Sequence, residues 1–395
     1  MKFLYAGFVS DSGAYSGILK KVAGQTKGVA ELGWEAHDTF LTKCGVVLET
    51  GSGRKTSAIG TGLHWREHQK AVTDAICGFL AEGSYDAVYI KGFLANPYAL
   101  RIARCAKQAK RTCRVIYEVA TYPYWGEYRR FLKVDWNQRN ARALGGHLLE
   151  ILQHAVSAPR FRSCVDALVL FGSPRERLWG VPAITVGNGV SVADIALRPY
   201  GPPEAGDTVR LLGVAGTSVA HGYDRILRGM AAYAQNRAPG SPEVEFSLVG
   251  ENETVSALRS LVSELGLAGR VHFLGYQDAR GLGALYASHD AAVSSLGVYR
   301  IGLTHLSPLK SREYCAAGIP FLYAYEDTVL SGSEPFCLKL PNNASPVDMN
   351  AVTAFVRRCR DDPELPEKER KFAEQNCDWK SIMKQILDFA AQADR

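Results

Sequence analysis

The chain has 395 residues, 47% of them hydrophobic and 22% charged, an ordinary globular composition in a length greater than one hydrophobic core usually serves. No run of 18 apolar residues occurs and the start, Met1-Lys2-Phe3-Leu4-Tyr5-Ala6, lacks a signal-peptide core, so the expectation is a two-domain cytoplasmic protein rather than a membrane span or an exported precursor. The net charge of +6 is unevenly divided: residues 1–200 hold 26 Lys/Arg against 16 Asp/Glu, residues 201–395 hold 20 against 24, and no recognition helix or zinc finger accompanies the basic half, which ranks nucleic acid last among its partners.

Nine cysteines are scattered without a Cys-x-x-Cys pair, which supports neither a disulfide framework nor a metal site. In the first half, apolar β-rich runs at 3–8, 35–41, 87–90, 115–119, 167–170 and 183–186 alternate with longer segments of helical period, the pattern of a parallel sheet with crossover helices. After the first strand, Ser10-Asp11-Ser12-Gly13-Ala14-Tyr15-Ser16-Gly17 turns tightly into a helix, and Gly13 and Gly17 are candidates for close approach to a ligand. The segment lacks G-x-G-x-x-G spacing, which argues against a dinucleotide enzyme.

The run 114–117 leads into Glu118-Val119-Ala120-Thr121-Tyr122-Pro123-Tyr124-Trp125, an aromatic-rich segment at the carboxyl end of a strand, where open α/β sheets line their clefts. Thr121, Tyr122, Tyr124 and Trp125 are candidate ligand contacts, the aromatic faces suiting the apolar face of a ring. Glu118 is either a catalytic or sugar-contacting carboxylate or a buried glutamate pairing with a helix. Residues 129–142 mix arginine and lysine with Phe131, Leu132 and Trp136, and read either as a membrane-surface element or as an exposed helix packing those side chains inward.

Three prolines and two glycines between 198 and 207 form a linker, which divides the chain into a domain over 1–198, a linker at 199–208 and a domain over 209–377. The strand rhythm then begins afresh at 210–214, 245–249, 271–274, 291–294, 320–323 and 337–340. Gly216, Thr217 and Ser218 form a small-residue loop whose amides suit a phosphate, with His221 just beyond. Tyr276 follows a strand and is placed either to stack on a base or to pack. The most informative words come next: Arg300, and then His305-Leu306-Ser307-Pro308-Leu309-Lys310-Ser311-Arg312-Glu313-Tyr314, stopping at Ala317-Gly318-Ile319-Pro320. A helix that opens there offers unpaired N–H groups and a positive dipole end to a phosphate, with a carboxylate one turn in.

Leu309 to Tyr314 and Ala317 to Pro320 closely resemble the donor-site signature of retaining glycosyltransferases of family 4, and Gly187-Asn188-Gly189-Val190 resembles the segment that ends their first domain. The resemblance implies the α/β GT-B fold: two Rossmann-like domains facing each other across a cleft, with a terminal helix, here 378–395, crossing back to the first. It implies a UDP- or GDP-sugar donor as substrate, with no cofactor and no metal ion. The donor site it implies comprises Glu313 on the ribose, Lys310 on the leaving diphosphate, and Gly216, Thr217, Ser218, His221, Tyr276, Ser307 and Leu309 around them; the family's loop arginine has no counterpart, and Arg300, ten residues before Lys310, is the candidate to supply that charge. The chain departs from the family in the missing loop arginine, in the absence of a histidine from 118–128, and at two further positions. His305 stands where the first motif glutamate is usual, and His221 stands where a lysine is common. The wording His221-Gly222-Tyr223-Asp224-Arg225 is similar to a bacterial capsule and exopolysaccharide subgroup, which implies a saccharide acceptor; if 129–142 is a membrane-surface element, that acceptor is polyprenyl-diphosphate-linked and the basic half contacts an anionic inner leaflet. A nucleotide-sugar epimerase and a non-catalytic subunit are the alternative readings on the same fold.

Overall fold

The computed structural model describes residues 1–10, 16–199, 208–214, 218–251 and 253–393. Gly13, the linker residues 200–207, Gly216 and Thr217 lie outside them. The chain divides into two compact units, Met1–Gly189 with Trp379–Arg395, and Val190–Asp378.

In chain order the first unit comprises β1 (Lys2–Ala6), α1 (Ser16–Ala30), β2 (Glu35–Thr42), β3 (Gly45–Thr50), β4 (Gly53–Ala58), α2 (Trp65–Gly83), β5 (Ala87–Gly92), α3 (Pro97–Ala109), β6 (Arg114–Tyr122), α4 (Trp125–Asn137), α5 (Ala141–Phe161), β7 (Ala167–Gly172), β8 (Arg177–Leu178) and β9 (Val181–Thr185). They form a nine-stranded sheet of order β4-β3-β2-β1-β5-β6-β7-β9-β8, parallel from β2 through β9. Both faces are covered, so the central strands are apolar on both. Leu4, Val88, Ile90 and Leu168 point to the side of α2 and α3, and Phe3, Tyr5, Tyr89 and Val169 to the side of α1. The antiparallel pair β3–β4 was not expected from the sequence. Gly-Arg-Lys-Thr-Ser-Ala in β4 has no large apolar side chain and is exposed nearly throughout, and its charges guard the sheet edge.

The second unit comprises β10 (Thr208–Val214), α6 (Tyr223–Asn236), β11 (Glu243–Val249), α7 (Glu253–Glu264), β12 (Val271–Gly275), α8 (Ala279–Ser288), β13 (Ala291–Val293), α9 (Leu309–Ala317), β14 (Phe321–Tyr323), β15 (Cys337–Lys339), α10 (Met349–Arg360) and α11 (Leu365–Asn376). Its six strands are all parallel in the order β12-β11-β10-β13-β14-β15, around one apolar core. The order reverses between β10 and β13. At such a switch point the loops leaving the two strands diverge and open a crevice at their carboxyl ends.

The last helix, α12 (Trp379–Gln392), returns to the first unit and packs on α1, burying Trp379, Ile382, Met383 and Ile386 against Phe3, Tyr5 and Val22. The two helices meet closely at Gly28, where an added Cβ would lie 2.7 Å from the carbonyl carbon of Trp379 and 2.8 Å from the amide nitrogen of Lys380. Backbone cannot yield as a flexible side chain does. Gly28→Ala is therefore expected to destabilise the first unit by about 1–3 kcal/mol through overpacking, read from urea unfolding; an unchanged midpoint would show that α12 is not held against α1 at this point.

Candidate functional site

Helix α9 begins at Pro308 with no side chain capping it and no acid in its first turn, and ends on Gly318 at φ 69°, whose left-handed conformation lets Gly318 N–H and Ile319 N–H donate back to Cys315 O and Tyr314 O. Its inward side chains anchor it. Ser311 joins Ser294 and Tyr325 in a buried hydroxyl cluster, with Ser294 Oγ 2.8 Å from Ser311 Oγ and 3.0 Å from Tyr325 Oη. Arg312 pairs with Asp327 at 2.6 Å, both side chains fully buried, and donates to Ser307 Oγ at 2.8 Å. With Ser311 and Arg312 turned inward, Lys310 and Glu313 share another side, three residues apart, at the open end of the helix.

Lys310 Nζ is out of contact with solvent and has no hydrogen-bond partner among the described residues; it lies 5.4 Å from the centre of the Tyr223 ring. Burial pushes its pKa down to about 7. His221 is its neighbour. Ser218 N–H donates to His221 Nδ1 at 2.9 Å, which fixes Nδ1 as an acceptor, and burial together with the charge of Lys310 pushes the imidazole down to about 3. His221 is therefore neutral, and the positive charge of this crevice comes from Lys310.

The loops after β10 and β13 are stitched together. Leu296 N–H and Gly297 N–H donate to His221 O and Ala220 O, and an added Cβ on Gly222, at φ 63°, would lie 2.6 Å from Gly297 N. Arg300 completes the junction: its guanidinium donates to both oxygens of Asp224 at 2.7 Å and to Val219 O at 3.4 Å. Its charge is matched by Asp224, a partner that lies 76 residues away in sequence and that sequence reasoning missed.

Of the other expected donor-site residues, Ser218 caps the turn that presents His221 and accepts from Ala220 N–H. Leu309 packs against the core and Ser307 is buried beside Arg312. His305 is half-buried, with Nδ1 2.9 Å from Thr304 Oγ1. Tyr276 follows the turn at Gly275 and is 83% exposed, so its ring has no packing role in this unit.

In the first unit, Gly17 lies in the first turn of α1, Thr121 and Tyr122 end β6, and Trp125 opens α4 with its ring partly exposed. Tyr124 is interior: its hydroxyl accepts from Trp179 Nε1 at 3.2 Å and lies 3.1 Å from His154 Nε2. Glu118 is wholly buried. Its carboxylate accepts from Lys21 and Lys91 Nζ at 3.0 Å each and from Tyr89 Oη at 2.7 Å. Burial raises the carboxyl's pKa, but the two lysines and the tyrosine outweigh it and hold the group well below the usual carboxylate range. Lys91 stands directly across from Glu118 in the β5–β6 register, a signal available once the two strands are paired. Along α4, Trp136 is exposed, so the inward-packing alternative for 129–142 does not hold for it, whereas Phe131 is partly exposed and stacks on His147 of α5.

No protein-family model matches the chain, and no curated protein matches it. Solved structures do. A glycosyltransferase from Rickettsia africae ESF-5 is similar over 99% of this chain and 98% of its own, at 11% identity with a TM-score of 0.63. Sucrose-phosphate synthase from Thermosynechococcus elongatus matches over 99% and 98%, at 16% identity and 0.57. HepE of Anabaena, in complex with UDP, matches over 98% and 99%, at 15% identity and 0.57. The fold is GT-B. In GT-B terms, the second unit is the Rossmann-like half whose switch point carries Lys310, His221 and Arg300.

An amine with a lowered pKa binds fewer protons in the folded protein than in the unfolded chain between about pH 7 and the ordinary lysine value near 10.4. Its contribution to stability therefore declines as pH falls through that window and levels off below it. Replacing the amine removes the decline. Lys310→Met is expected to gain stability relative to the parent on going from pH 9.5 to about pH 7, in urea unfolding of the second unit; parallel stability curves over that range would show that the amine is not buried without a partner.

Proposed function

We propose that the chain is a retaining, metal-independent glycosyltransferase that moves a sugar from a UDP- or GDP-sugar to a saccharide acceptor. The observation that carries this reading is the buried Lys310 amine, without a hydrogen-bond partner among the described residues, beside the uncapped start of α9, a cation and a set of N–H donors suited to an anion. A diphosphate fits that arrangement, and its binding recharges the amine. Glu313, one turn further in, accepts from ribose hydroxyls. Tyr276 stacks on the base, and the amides of 216–218 approach the phosphates. HepE, one of the similar structures, holds UDP.

As the glycosidic bond breaks, the electron pair stays with the leaving diphosphate, whose growing charge is stabilised by Lys310, by the α9 N–H groups and by Arg300. The acceptor hydroxyl attacks the anomeric carbon from the face that the diphosphate leaves and passes its proton to the departing phosphate oxygen. His305 and Ser307 contact the donor sugar. Gly13, Gly17, Thr121, Tyr122 and Trp125 belong to the acceptor side, which is assigned to the domain over 1–198 joined by residues 199–208 to the donor domain over 209–377.

The resemblance to the capsule and exopolysaccharide subgroup supports a finer reading, in which the acceptor is a polyprenyl-diphosphate-linked saccharide at the inner face of the plasma membrane and the enzyme is a peripheral cytoplasmic protein. The exposed Trp136 and partly exposed Phe131 among the basic residues of 129–142 support contact with that surface.

Incubation with a panel of UDP- and GDP-sugars, with and without a lipid-linked acceptor, is expected to release free UDP or GDP from one donor. A changed sugar on intact nucleotide would instead identify an epimerase, and binding without turnover a non-catalytic subunit. Glu313→Ala is expected to weaken nucleoside diphosphate binding by about 1–3 kcal/mol in calorimetry; equal affinity would remove the ribose contact from Glu313.

A further inference from the structure

The surface of α5 is at odds with water. From Ala143 to Ala158 its only charged residue is Glu150, whose carboxylate accepts from Tyr128 Oη at 2.6 Å on α4. His154, Ser157, Ala158 and Phe161 make its buried face. Leu148, Leu152 and Val156 recur every fourth residue on a different side and are 52%, 60% and 51% exposed. Helical spacing places Gly145, Ala155 and Pro159 in the same stripe, which contains no charge. A helix so apolar on two faces needs a second cover.

Helix α4 extends the surface. Phe131 stacks on His147 at 5.2 Å between ring centres, beside the start of the stripe, and Trp136 is 72% exposed. Of the fifteen exposed large hydrophobic side chains among the described residues, seven lie on this α4–α5 hairpin, so the exposure is a local feature and not general.

Charge decides what covers it. The hairpin sequence from 125 to 161 holds six Lys/Arg and three Asp/Glu, and two of the acids are engaged internally, Asp135 with His147 at 2.6 Å and Glu150 with Tyr128. Arg129, Lys133, Arg139, Arg142 and Arg160 of the hairpin are exposed. A second copy docked on the same face by a two-fold axis would set this positive charge against itself. An anionic phospholipid surface satisfies both the stripe and the charge.

We propose that α5 is a membrane-inserting helix, lying in the headgroup plane of an anionic bilayer with Leu148, Leu152 and Val156 among the acyl chains and Arg142 and Arg160 at the level of the phosphates. This deepens the membrane contact proposed above, and rests on it, by moving the inserting element from the basic segment 129–142 to the helix that follows. Trp136 serves as an interfacial anchor at the hairpin tip.

The test uses the full chain with sedimenting vesicles of phosphatidylcholine alone and of phosphatidylcholine mixed with phosphatidylglycerol. The parent is expected to sediment with the mixed vesicles, and the triple variant Leu148→Ser, Leu152→Ser, Val156→Ser to lose about tenfold or more of that partitioning while keeping its circular dichroism and nucleoside diphosphate affinity. The variant Arg129→Ala with Lys133→Ala separates the two elements. If the triple variant sediments like the parent and only the charge variant is lost, insertion by α5 is overturned while the membrane contact stands. A parent that sediments with neither vesicle overturns the membrane reading and this inference together. A parent that is dimeric by light scattering, and made monomeric by the triple variant, assigns the stripe to a second copy and overturns the proposal.

Discussion

The candidate site depends on the buried pair of Arg312 and Asp327 at 2.6 Å, neither side chain touching solvent. Removing one member of such a pair costs about 3–5 kcal/mol, because the other is left charged in the interior. The pair, with the Ser294–Ser311–Tyr325 hydroxyl cluster one residue away, fixes the rotation of α9 about its axis. That rotation puts Lys310 and Glu313 on a different side of α9 from Ser311 and Arg312, with the Lys310 amine buried near the Tyr223 ring.

An isolated buried amine is a poor choice for stability and a good one for binding an anion. The surroundings are arranged to keep it so. His221 is made neutral by burial and by accepting from Ser218 N–H, so it neither repels a dianionic ligand nor satisfies the amine. Asp224, the nearest free carboxylate on α6 in sequence, is instead held by both arms of Arg300. The arginine braces the junction of the two loops, and its own charge becomes available to a ligand only to the extent that Asp224 releases it.

Much of the architecture was legible because parallel strands buried on both faces must be apolar along their length, and both series of strands read that way. The stop of α9 was legible too, since Gly318 and Pro320 punctuate any helix. β3 and β4 were not: β3 buries only the short run Val46, Val47 and Leu48, and β4, with no large apolar side chain, is held by pairing to β3. At the site, residue types were readable and states of charge were not. That Lys310 lacks a partner among the described residues, that His221 is neutral and that Arg300 is matched by Asp224 all follow from loops brought together across 76 or more residues. The exposure of Trp136 was left as one of two alternatives, since a mixed basic and apolar segment has the same spacing whichever way it turns.

Glu118 shows how the same limit bears on mechanism. A lone carboxylate in a central strand reads equally well as a base or as a structural ion. Packing chooses the second: two lysines and a tyrosine donate to it, and its pKa is held far below the range in which a carboxylate takes a proton from a sugar hydroxyl. Its work is to tie α1 to β5 and β6, and so to fix the helix that follows the loop at 10–17. With this acid committed to the fold, a proton leaving the acceptor needs another destination. The departing diphosphate is the strongest base that the proposed reaction itself generates, and a transfer to it requires attack on the same face, which is the stereochemical course of a retaining enzyme.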